Sequence, residues 1–185
     1  MRFAGLCGVA LAAVAPWLGW VLVVRGHVVP GWGLGVVLAA VALVLLWYPR
    51  SARVPAVDEA QEARRAVLRR IRAASTVLAV VSIGLAATGD MFYEAQYRVL
   101  PHEASDGCRV VTRETSDLLS GGGDVYVVRG LGVGQRTGTW TADDGARPIR
   151  DGRYDLDLGQ EGGSLTVIGT SYDPVWPADH TIDCR

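Results

Sequence analysis

The hydrophobic pattern of the chain changes character near residue 90. Before that point apolar residues come in long unbroken runs. After it they come in short alternating stretches punctuated by Gly, Asp and Pro. Residues 3–24 and 28–49 are each 22 residues long with no Asp, Glu, Lys, Arg or His, and residues 73–89 add a third run of 17. A helix needs about 20 apolar residues to cross about 30 Å of hydrocarbon. Helices on a soluble core alternate faces at a period near 3.6, whereas these runs are apolar all round. The pattern predicts three transmembrane helices, at about 3–24, 30–48 and 74–90, within a membrane domain covering 1–92. Between the second and third lies a cytoplasmic helical loop, 49–73.

The first run also resembles a secretory leader in part, because Ala13, Val14 and Ala15 offer small residues at a cleavage position. Pro16 directly after them, and the continuation of the run to Val24, favour a retained helix. Leu6 before Cys7 does not suit a lipidation site, so Cys7 is read as a small apolar filler.

From about residue 100 the period becomes two. In 153–158, Tyr154, Leu156 and Leu158 alternate with Asp155 and Asp157, and 164–170 returns after a Gly-rich turn. This predicts a β-hairpin. Further strands are expected at 109–115, 125–129, 136–141 and 180–184, separated by turns at 121–124, 143–145 and 151–152. The expected fold is therefore membrane α plus β: three transmembrane helices, then a small antiparallel β sandwich or partial barrel over 93–185.

Charge supports that division. The first 90 residues hold nine Arg against four acidic residues, a net of +5, and the rest hold nine against fifteen, a net of −6. All 18 basic residues are Arg. Arg50, Arg53, Arg64, Arg65, Arg69, Arg70 and Arg72 lie between the second and third runs, while the link between the first two has only Arg25. Positive loops stay in the cytoplasm. The N-terminus is then cytoplasmic as well, and the β domain lies outside the plasma membrane. Trp17, Trp20, Trp32, Trp47, Tyr48, Phe92 and Tyr93 fall near the span ends, as interfacial aromatics do.

Asp58, Glu59 and Glu62 precede the Arg in 64–72, which suits the dipole of a helix covering 56–72 and running into the third span. The membrane-proximal basic cluster Arg64, Arg65, Arg69, Arg70 and Arg72 suits anionic lipid, but it spreads around the helix and serves equally to set topology. Small-residue rows (Ala4, Gly8, Ala12; Gly31, Gly35, Ala39) allow close helix packing. That packing is expected within one chain, and a homo-oligomer is left open. No span has a charge at its centre, which argues against a transporter acting alone.

Cys108 and Cys184 bracket the β domain, and in an oxidising exterior they are expected to form a disulfide. They are too few for a soft-metal site. Asp143, Asp144, Asp155 and Asp157 lack the spacing of a calcium loop. The glycines at 130, 132 and 134 lack the strand-to-helix context of a phosphate loop. No cofactor and no metal are expected. Without a basic aromatic patch outside the membrane, nucleic acid is not an expected partner.

Two features carry functional expectations. Tyr172 and Trp176, on the proline-stiffened loop 172–177, and Asp155 and Asp157 form a candidate binding set. His180 between Asp179 and Asp183 is the one arrangement that suits general-base chemistry, but no nucleophile motif accompanies it. The leading expectation is a multi-pass membrane protein whose external β domain binds, as a sensor, an accessory subunit or an immunity-like protector. Its expected partners are membrane lipids and an envelope protein. The alternatives are a cell-envelope hydrolase using the Asp179/His180/Asp183 region and a purely structural component of a membrane complex.

Overall fold

The computed structural model of the chain describes residues 2–47, 59–103 and 107–185. These form two compact units, residues 1–18 with 32–86, and residues 19–31 with 87–185.

The helical unit is built from α1 (Arg2–Val14), α2 (Gly31–Trp47) and most of α3 (Glu59–Phe92). Its core is small: Val9, Ala42 and Ala79 are buried, with Ala13 packed on them. The small-residue rows are used here. A Cβ built on Gly8 would lie 3.1 Å from that of Ala42, and one on Gly35 would lie 3.0 Å from the Ala12 carbonyl and 3.1 Å from the Ile83 side chain. Trp17 donates its indole N–H to Ser82 Oγ at 2.8 Å, and Ser82 donates to the Ala13 carbonyl at 2.5 Å. Polar groups of the helices thus pair within the unit.

The expectation of three long helices needs correction. Only one helix among the described residues, over Ala66–Phe92, is long and apolar enough to cross a membrane. The first run, 3–24, is divided. α1 ends at Val14, a 3₁₀ turn (Ala15–Trp17) follows, and the chain then becomes strand β1 (Trp20–Val24). Pro16 has no N–H to continue the helix. Gly19 takes φ +63°, a conformation open to glycine. The Val-rich stretch beyond it suits a strand. α2 has 17 residues, which at 1.5 Å each is about 25 Å, short of the bilayer core. The expected division at residues 92 and 93 shifts accordingly, because 19–31 belongs with the β unit. The expected loop helix and third run are one helix, α3. Residues 48–58, with Arg50 and Arg53, lie outside the described residues.

The β unit contains β1, β2 (His27–Val29), β3 (Gln96–Glu103), β4 (Arg109–Ser116), β5 (Ser120–Arg129), β6 (Val133–Asp143), β7 (Tyr154–Leu158), β8 (Gly162–Val167), β9 (Val175–Trp176) and β10 (Asp179–Asp183). One antiparallel sheet has the order β2-β1-β6-β5-β4-β3, with β9 added to β6; a second has the order β10-β8-β7. The larger sheet curls until β2 comes beside β3, so that it is nearly a barrel. Its inner face buries Val21, Val23, Val111, Tyr126 and Val128. Its outer face packs Val110, Val125, Val127 and Trp140 into one core with Leu165 and Ile182 of the second sheet. The alternation Val110/Val111 on β4, and Val125 to Val128 on β5, supplies both cores from single strands. The expected antiparallel β fold with a disulfide is present: Cys108 and Cys184 are bonded.

The glycines at 121–123, expected as a turn, lie inside β5. Gly123 pairs with Trp140 across the ladder. A Cβ there would collide with the Trp140 ring and with the Arg113 carbonyl. The missing side chain leaves room for the indole over the strand, which gives a glycine a place inside regular structure. Along the β5–β6 ladder, Val125 faces Gly138 and Tyr126 faces Arg136, so Thr137 is an extra residue in β6. This bulge changes which side the strand presents: Arg136 reaches the inner face, while Gly138 and Trp140 meet the second sheet.

Candidate functional site

Three surfaces of the β unit carry chemistry. The first is an ionic cluster inside one end of the near-barrel. Asp90, in the last turn of α3, accepts from Arg113 Nη2 at 2.6 Å and Nε at 3.0 Å, and from the Tyr97 hydroxyl at 2.9 Å. Asp124 accepts from Arg113 Nη1 at 2.8 Å and from Arg136 Nη1 at 3.3 Å. Burial pushes the Tyr97 phenol well above its ordinary range, and the Asp90 carboxylate adds to the shift. Burial works against the charged form of Arg113, but Tyr97, Asp90 and Asp124 outweigh it and hold the guanidinium charged. Beside this cluster is a cleft of about 290 Å³ lined by Tyr93, Arg113, Thr115, Ser116, Asp117 and Ser120. Its ionic groups are already engaged, since Asp117 accepts from the N–H groups of Leu119 and Ser120. The cluster is therefore a structural brace.

The second surface is the outer face of the three-stranded sheet. Asp155 pairs across β8 with Thr166, which pairs with Asp179; Asp157 pairs with Ser164, which pairs with Thr181. Asp155, Asp157, Asp179 and Asp183 are all exposed there. Thr166 donates its hydroxyl to Asp179 at 2.8 Å. This acidic, hydroxyl-lined face contains two of the four expected binding residues and two carboxylates that the sequence had suggested for catalysis. No group of three or more His, Cys, Asp or Glu suited to a metal ion occurs among the described residues.

His180 is on the other side of that sheet. β10 alternates exposed and buried residues, so Asp179 and Asp183 face out while His180 and Ile182 face in. The His180 ring lies against Gly138 and 6.0 Å from the Trp140 ring, and is buried. Burial lowers its pKa, against the opposing pull of Asp179 and the Pro177 carbonyl. The structure therefore does not bring Asp179, His180 and Asp183 together as a base with its orienting carboxylates.

The third surface is aromatic. Tyr172 and Trp176 are 87 % and 79 % exposed. They stand outside the core, where Trp140 is buried instead. They are separate from Asp155 and Asp157, which lie on the outer sheet face, so the four expected binding residues form two groups. Of the basic cluster, Arg69 and Arg70 are exposed on α3 and Arg72 is partly covered; the side chains of Arg64 and Arg65 lie outside the described residues.

Sequence reasoning missed Asp90, Arg113, Asp124 and Arg136 as a group. They are distant along the chain and are assembled only by strand register. It also missed Glu114, whose buried carboxylate accepts the backbone N–H groups of Ile149 and Arg150, both at 2.7 Å. Comparison with protein-family models, with curated proteins and with solved structures finds no match to this chain.

Proposed function

We propose that this chain is an integral protein of the plasma membrane that holds a disulfide-closed β unit outside the cytoplasm as a binding module. The observation that carries the reading is the uncovered apolar surface of α3: Val77, Leu78, Val80, Val81 and Leu85 are each at least half exposed. A continuous apolar surface of that kind marks contact with lipid or a partner. Arg69, Arg70 and Arg72 precede this stretch, and the Cys108–Cys184 disulfide follows it. Positive charge favours the cytoplasmic side and a disulfide favours the oxidising side. Two independent arguments therefore give α3 the same direction. In this reading α1 and α2 enter the bilayer as shorter apolar helices packed on α3. The N-terminus and the Arg-rich segment are cytoplasmic.

The binding surface is the acidic outer face of the β10-β8-β7 sheet, with Asp155 and Asp157 on its β7 edge, and it suits a cationic partner in the envelope. Tyr172 and Trp176 belong to a different surface.

Intact cells carrying Cys7→Ala are treated with a membrane-impermeant thiol reagent before and after mild reduction. Labelling of Cys108 and Cys184 only after reduction is expected. Thiols that react only after lysis would place the β unit in the cytoplasm and overturn the reading. For the binding role, a photo-crosslinking residue at position 157 of the full chain in native membranes is expected to give a discrete adduct. Loss of that adduct in the background of Asp155→Asn and Asp179→Asn is also expected. Absence of any adduct at 157 would remove the acidic face from consideration.

A further inference from the structure

One end of the β unit carries an unusual set of exposed apolar side chains. The β4–β5 turn projects Leu118 and Leu119, which are 97 % and 84 % exposed. The turn is not slack. The Asp117 backbone N–H donates to the Ser120 carbonyl at 2.8 Å, and the Asp117 carboxylate accepts from the N–H groups of Leu119 and Ser120 at 2.9 and 2.6 Å. Its polar groups are turned inward and its two leucines outward. A soluble hairpin has no reason to place a leucine pair there.

The same end holds the last turn of α3. Ser116, one residue before Asp117, donates its N–H to the Tyr93 carbonyl at 3.0 Å. Met91 and Phe92, immediately before Tyr93, are about four-fifths exposed. Trp176 also belongs to this end. It pairs with Thr141, which pairs with Gly122, two residues into β5 from Ser120. The far end of the barrel, where β5 turns into β6 and the disulfide lies, has Leu131 as a single exposed leucine beside Gly130 and Gly132, with Val24 and Val133 about half exposed and no aromatic among them.

We infer that the Leu118/Leu119 turn, flanked by Phe92 and Trp176, inserts into the headgroup and acyl boundary of the bilayer that α3 crosses. The inference rests on the membrane reading above. The occupant is lipid because the patch continues from the point where the apolar helix ends, and because its side chains are of the kinds found at that boundary: leucines that enter the apolar layer and a Trp at its rim. The turn would restrain the β unit at a fixed height and tilt on the membrane surface.

The test uses the full chain with Cys7→Ala, reconstituted in phosphatidylcholine–phosphatidylglycerol vesicles. The Cys108–Cys184 bond is kept oxidised, and a single environment-sensitive fluorophore is attached at Leu119→Cys, Leu131→Cys or Val80→Cys. Lipids brominated high on the acyl chain serve as the quencher for positions 119 and 131, and lipids brominated near the chain end, in separate vesicles, for position 80. Quenching and a blue shift at 119 and 80, with neither at 131, are expected. Quenching at 80 but not at 119 would overturn this inference and leave the membrane reading standing. No quenching at 80 would overturn both. Equal quenching at 119 and 131 would also overturn it, since the β unit would then lack a preferred membrane-facing end. If the 119 variant loses its disulfide on a non-reducing gel, Leu118→Cys carries the same test.

Discussion

Arg113 on β4 and Asp90 at the end of α3 are joined at 2.6 Å, and the other arm of the same guanidinium holds Asp124 on β5. A helix C-terminus is an unfavourable place for a carboxylate, and the Arg113 guanidinium sets a positive group against Asp90 there. The side chains of the pair are only 22 % and 13 % exposed. Removing one partner of such a pair leaves the other uncompensated. Arg113→Met is expected to destabilise the β unit by about 3 kcal/mol. Near-UV circular dichroism of the Trp signal against urea measures this. Asp90→Asn combined with Arg113→Met should cost less than the sum of the two single changes.

The disulfide closes most of the β unit, with 76 residues of sequence separation. In the chain-entropy account a loop of this length stabilises by about 4.5 kcal/mol. Paired replacement of Cys108 and Cys184 by Ser is expected to lower the unfolding midpoint of the β unit markedly and to leave the helicity of α3 unchanged. Far-UV and near-UV circular dichroism separate the two effects.

Glu114 anchors the turn at 147–152 by accepting two backbone N–H groups in a buried place. Glu114→Ala orphans both donors and is expected to cost about 2–4 kcal/mol, at about 1–3 for an unsatisfied buried donor with water reaching part of the site. Glu114→Gln keeps one acceptor and should lose roughly half as much. Thermal unfolding of the three proteins side by side gives the order.

His180 supplies a pH dependence. Its folded pKa is depressed by burial, so the folded state prefers the neutral ring. The corresponding stability is present above the ordinary histidine pKa of about 6.5 and is lost as pH falls through the depressed folded value. The unfolding temperature of the β unit should therefore fall as pH is lowered below about 6.5, and His180→Leu should flatten that slope. Glu114 contributes with the opposite sign. Its pKa is raised, chiefly by burial, so its contribution is full below about 4.5 and declines as pH rises through the folded value. An equal slope in wild type and His180→Leu between pH 7 and 5 would show that His180 is not the titrating group.

Gly123 tests the packing of the larger sheet. A methyl group there meets the Trp140 ring and the Arg113 carbonyl. Gly123→Ala is expected to destabilise by about 1–3 kcal/mol through overpacking and to change the near-UV signal of Trp140. Gly130→Ala, where a Cβ meets nothing within 4 Å but φ is +41°, should cost less and leave the Trp140 signal intact.

Several elements were legible in the chain because they depend on neighbours in sequence. The alternation of Tyr154, Leu156 and Leu158 with Asp155 and Asp157 needs only a pleated strand to separate the faces, and β7 and β8 form the expected hairpin. The apolar character of α3 is a property of composition. The pairing of Cys108 with Cys184 followed from there being two cysteines in one domain. The tertiary structure decided what distant partners decide. Residues 20–24 are apolar enough to continue a helix, but β6 offers them an open edge and the barrel interior takes Val21 and Val23. The glycines at 121–123 look like a turn until Trp140 covers one of them. His180 and its flanking carboxylates are adjacent in sequence but on opposite faces, while Asp90, Arg113 and Asp124 are far apart in sequence and joined in space. Local pattern encodes the period of a segment and its greasy or polar character. Which edge a strand joins, and which charges meet, is set by register across the sheet, where the free energy lies between residues that the sequence does not place side by side.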